Sequence, residues 1–114
     1  MNLPDLCFHL RRRRRMYLLD DRFSTAVAFV EGYNAAFDGA PLSGFRDYVA
    51  ARILNGESSL HWSYVIASTK VPAILEGDVR IDQIPAKFEI ELTEMLVDLL
   101  EGFQAGGQPS NTSA

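Results

Sequence analysis

Five consecutive arginines, Arg11 to Arg15, are the densest chemistry in the sequence. Guanidinium groups recognise phosphates and carboxylates, but successive residues of an unbroken helix are turned by about 100°, so the five are expected to point in several directions. Their expected partners are local: Asp20 and Asp21 just downstream, and the negative end of the helix they close. His9 and His61 lack a metal-ligand spacing, and the single cysteine, Cys7, excludes every multi-cysteine zinc site. No glycine loop precedes a Lys-Ser/Thr pair, so a phosphate loop is not expected either. Asp20 and Asp21 suggest acid/base work, but acids just before a helix more often favour its positive end. No nucleophile, base and orienting group can be placed together. The expectation is a protein that is not an enzyme and holds no metal or cofactor.

A second grouping lies near the C-terminal end. Between Pro85 and Phe103, the residues Phe88, Leu92, Met95, Leu96, Leu99 and Phe103 fall in one broad apolar stripe, the clearest amphipathic pattern in the chain. Glu91, Glu94, Asp98 and Glu101 gather on the far side of the same wheel, with Ile90 and Val97 beside them. Apolar area bordered by like charge suits a protein partner of opposite charge. Ile90, Glu91, Glu94, Val97, Asp98 and Glu101 are therefore the expected partner-binding residues. Overall charge agrees: the 114 residues carry a net −4, divided as +3 over Met1 to Arg22 and −7 over the remainder. An acidic body repels nucleic acid and membrane phosphate, and favours basic proteins.

These residues must be positioned by helices. The size is that of one domain, and 47% hydrophobic with 23% charged residues is an ordinary globular composition. Asn2 is expected to cap a first helix that has Pro4 in its opening turn and runs to about Arg14, with Met16 to Leu19 returning to the core. Phe23 to Phe37 reads as a buried central helix, capped by Ser24 and ended at Gly39, with small residues such as Gly32 admitting close neighbours. Phe45 to Ile53 reads as a third helix capped by Ser43. A fourth, around Trp62 to Ile66 and capped by Ser58 or Ser59, has a short strand as its alternative. Residues 72–84 are expected to be irregular and Pro85 to open the last helix. The predicted fold is an all-α single domain of four or five helices over residues 1–103, with Phe29, Tyr33, Trp62, Leu92, Leu96 and Leu99 largely buried. Residues 104–114 are expected to form a disordered tail. No apolar run is long enough to span a bilayer, the arginines follow rather than precede the first apolar segment, and one cysteine agrees with a reducing compartment, so a cytoplasmic location is expected.

The segments Arg13-Arg14-Arg15-Met16-Tyr17-Leu18, Phe29-Val30-Glu31-Gly32-Tyr33, Gly44-Phe45-Arg46-Asp47-Tyr48-Val49 with Arg52, and Leu60-His61-Trp62 resemble, in order, a family of small helical bacterial proteins. In that family an Arg-Pro-Gly-Met-Tyr-Leu segment precedes a Gly-Tyr helix, a Phe-x-x-Trp segment, a tryptophan helix and an acidic, leucine-rich last helix. Some members resemble immunity proteins encoded beside secreted or contact-delivered toxins. This chain departs from the pattern by Arg14-Arg15 in place of Pro-Gly and by Tyr48 in place of Trp. The resemblance implies a non-enzymatic immunity protein that occludes a toxin's active site. The alternatives are a nucleic-acid-binding regulator using Arg11 to Arg15, or a small enzyme of unrecognised type.

Overall fold

A computed structural model describes residues 1–107, and these form an all-α domain with no strand among the described residues. The order is α1 (Leu3–Arg12), α2 (Arg14–Tyr17), α3 (Phe23–Ala36), α4 (Phe45–Ile53), α5 (Trp62–Ala67) and α6 (Ala86–Gly102). Four of these are longer helices, as expected, and α2 and α5 are short. The segment before α6 contains two 3-10 turns, Pro72–Glu76 and Ile81–Gln83, in keeping with the expected irregular connection. After α6 a π turn, Phe103–Gly107, carries the chain past the expected domain end, and Phe103 is buried within it. The rest of the expected tail, 108–114, lies outside the described residues.

The helix ends show where side chains took over from simple capping rules. Asn2 does cap α1: its Oδ1 accepts from Asp5 N–H at 2.9 Å while Asp5 accepts from the Asn2 N–H, with Pro4 in the first turn. Ser24 does not cap α3. The cap position is Arg22, and Glu89 reaches over from α6 so that its Oε1 accepts from Phe23 N–H at 3.0 Å. Its Oε2 meets Arg22 Nε at 3.4 Å. A carboxylate held there compensates the positive helix end better than a serine could. Ser43 also fails as a cap, because Gly44 occupies that position with φ +87°, a conformation that favours glycine. His61, not Ser58 or Ser59, caps α5, its Nδ1 accepting from Ser63 N–H at 3.1 Å.

The core lies where α6 meets α1, α3 and α5, and where α4 packs on α5 and on the π turn. Leu6, Leu10, Phe23, Val30, Phe45, Val49, Ile66, Leu92, Leu96, Leu100 and Phe103 are fully enclosed. Phe45 is at its aromatic centre, edge-on to Trp62 and Phe103 at 5.3 Å between centroids in each case. Trp62, Leu92 and Leu96 are buried as expected, whereas Phe29, Tyr33 and Leu99 are half-buried. For Phe29 and Tyr33 the reason is that α3 is not central: Ala28, Gly32, Ala35 and Ala36 face outward. A Cβ added at Gly32 would meet nothing within 4 Å, so no helix uses the close approach its small residues allow. Of Met16 to Leu19, only Leu18 enters the core, and Leu19 is 100% exposed.

Candidate functional site

The outer face of α6 is built as the sequence suggests, apart from one residue. Glu91, Glu94, Asp98 and Glu101 are all exposed, and Ile90 beside them is 46% exposed. Val97 corrects the expectation: it is 1% exposed and belongs to the core. Its wheel position borders the ridge, but α1 packs against α6 and covers that flank. The same packing brings Arg11 onto the ridge, where its Nη2 donates to Asp98 Oδ1 at 2.6 Å and Glu101 Oε1 at 3.0 Å. These two bonds hold the Arg11 guanidinium above its usual pKa. Lys70 pairs with Glu91 at 2.9 Å. Glu94 has no ion pair among the described residues. The ridge thus keeps four carboxylates against two cations, with Ile90 as its one exposed aliphatic side chain.

The arginines behave differently from the expectation of a continuous helix. Arg13 adopts φ −133° and ψ 34°, which ends α1 and restarts the chain as α2. With the helix broken, Arg11 to Arg15 all line one cleft of about 490 Å³, together with Met16, Asp21 and Ile90. The expected local pairing holds in part: Arg15 bonds Asp21 at 2.8 Å, and Arg14 Nη1 donates to the Leu10 carbonyl at 3.2 Å near the end of α1. Arg13 lies 5.7 Å from the Phe8 ring centre. Asp20 does not pair with the run. Its Oδ1 accepts from Arg22 N–H at 3.0 Å, and its pKa is lowered by the Thr25 hydroxyl first and the Arg22 N–H second.

One constellation escaped the sequence reading. Glu31, the single charge of α3, accepts from Trp62 Nε1 at 3.1 Å and meets His61 Nε2, while His61 Nδ1 lies 2.7 Å from Ser63 Oγ. Residues 30 positions apart gave no spacing signal. Because Nδ1 accepts from the Ser63 N–H, the ring proton resides on Nε2 and is donated to Glu31. Serine, histidine and carboxylate in a row resemble a hydrolytic triad. Ser63, however, is 3% exposed, so no substrate carbonyl can approach its oxygen, and the group instead ties α3 to the start of α5.

A last surface is an apolar groove of about 460 Å³ formed by Met1, Tyr17, Ala28, Phe29, Gly32 and Tyr33 along the open side of α3. Among the described residues, no three His, Cys, Asp or Glu side chains are gathered as metal ligands, and no helix is long and apolar enough to cross a membrane. Comparison with family models, curated proteins and solved structures gives no match.

Proposed function

We propose that this is a non-enzymatic binding protein, an immunity protein that neutralises a bacterial toxin by covering its active site, acting in the cytoplasm. The supporting observation is the exposed face of α6, where Ile90 stands beside Glu94, which has no ion pair among the described residues, and the partly neutralised Glu91, Asp98 and Glu101. A toxin that cleaves nucleic acid carries a basic cleft, and a row of carboxylates imitates the phosphates that cleft attracts. Long-range attraction speeds encounter, and burial of Ile90 then slows release. The resemblance of the arginine, Gly-Tyr and tryptophan segments to immunity-like proteins supports this reading and is the reason for choosing a toxin as the partner.

Co-expression with a toxin encoded next to this chain tests it. The wild-type chain should restore growth, and the double change Ile90→Asp with Glu94→Lys should abolish protection while the purified protein keeps its helical spectrum. Protection that survives the double change would remove α6 as the docking face. Failure of the wild-type chain to protect would remove the immunity reading itself.

A further inference from the structure

The five arginines of the cleft are more than the fold employs. Arg11 is committed to Asp98 and Glu101, Arg15 to Asp21, and Arg14 to the Leu10 carbonyl. Arg12 and Arg13 have no carboxylate partner among the described residues, and both are exposed at the break between α1 and α2. Among the described residues Asp21 is the one acid lining the cleft, and Arg15 already engages it. Crowding guanidinium groups around one concavity is unfavourable through mutual repulsion and focuses positive potential into it. An unbroken helix would have dispersed these charges, so the break at Arg13 creates the concentration.

We propose that this cleft binds a compact polyphosphate anion about the size of a nucleoside triphosphate. Its volume of about 490 Å³ lies within the range of small-ligand sites. Arg12 and Arg13 supply donors for phosphate oxygens, in the paired geometry that suits guanidinium to phosphate. Met16 and Ile90 add apolar surface at the same cleft for an uncharged moiety such as a nucleoside. A longer nucleic-acid strand is disfavoured by the acids at the cleft: Asp98 and Glu101, held against Arg11, and Asp21 in the lining would repel phosphates extending past it. The ligand is therefore short and multiply charged.

Isothermal titration at physiological salt with inorganic triphosphate, ATP and a single-stranded oligonucleotide tests the assignment. Triphosphate or ATP should bind the wild-type chain, and Arg12→Gln with Arg13→Gln should weaken that binding by roughly tenfold or more, the loss expected when charge-assisted bonds to phosphate are removed. Both residues are exposed and have no carboxylate partner among the described residues, and Arg13 gives up only its contact with the exposed Phe8 ring, so thermal unfolding of the double variant should stay close to wild type. Arg12→Gln alone provides the same comparison if the double variant fails to fold. No binding of either small phosphate, or equal binding by wild type and variant, overturns the proposal. Tighter binding of the oligonucleotide than of ATP overturns it in favour of a nucleic-acid surface.

Discussion

Glu89 shows how much one side chain can organise. Its carboxylate is nearly enclosed, yet it accepts from the first N–H of α3 and meets Arg22, whose Nη2 in turn donates to the Asp82 carbonyl at 2.7 Å. One residue of α6 thereby closes the start of α3 and anchors the turn preceding α6. Glu89→Ala leaves the Phe23 N–H buried without an acceptor and should lower stability by about 1–3 kcal/mol in a urea titration. A loss near zero would mean that water replaces the carboxylate. Cys7 makes a pH prediction. Burial first, and Glu101 second, raise its thiol from 9.0 to about 11. In the unfolded chain the thiol ionises near its ordinary value, while in the folded protein it stays protonated. The folded state therefore binds the extra proton between about pH 9 and 11, and stability should fall as pH rises through that window. Thiol reagents at pH 8 should react with Cys7 only after unfolding. Rapid labelling of the native protein would contradict its enclosure. Neither role was readable from the sequence, because both depend on which helix covers the residue.

Among the elements, the strongly patterned ones were the legible ones. The cap at Asn2, the glycine exit at Gly39 and the amphipathic pattern of α6 are local signals, and the structure contains them, although the buried face of α6 is turned toward Thr93, Val97 and Leu100 so that Phe88, Met95 and Leu99 are only half-buried. Asp38 and Gly39 follow α3 with φ +57° and +82°, the left-handed exit that Gly39 suggested. The reading of α3 as central failed for a definable reason. Its residues are apolar on nearly every side, so periodicity could not distinguish a surrounded helix from one with an open face. The break at Arg13 was equally hidden, since arginine is a good helix former and nothing in the run resembles a terminator. Gly32 tests the revised position of α3. Gly32→Ala gains helix propensity and puts its methyl into open space, so it should stabilise the protein by about 0.5–1 kcal/mol by thermal or urea unfolding. Destabilisation would show that a neighbour does approach that face. Gly102 is the contrasting case. A Cβ there would collide with the Tyr48 hydroxyl, so the seating of Tyr48 beside α6 depends on glycine at this position.

Across the whole molecule, charge is divided into two neighbouring regions that share a boundary. Ile90 lines the arginine cleft and also borders the acids of α6, while Arg11 belongs to the cleft and pairs with the ridge. The net charge of −4 conceals this division, and so does the helical wheel, because α1 had to be packed against α6 before the two signs could meet. This arrangement decides which substitution tests partner binding. Asp98→Lys would break the ion pairs around Arg11 and change the cleft as well as the ridge, so its effect could not be assigned to docking. Glu94→Lys removes no ion pair among the described residues and leaves the core untouched. If a basic toxin docks on α6, Glu94→Lys should slow association several-fold at low salt, with little effect on release, because steering acts on encounter. Ile90→Ala, which adds no charge to the arginine cleft that Ile90 also lines, should do the reverse, speeding dissociation by roughly tenfold through loss of the apolar anchor. Surface-plasmon measurements over a salt series separate the two rates. An association rate that is independent of both salt and Glu94→Lys would place the partner on a different face of the molecule.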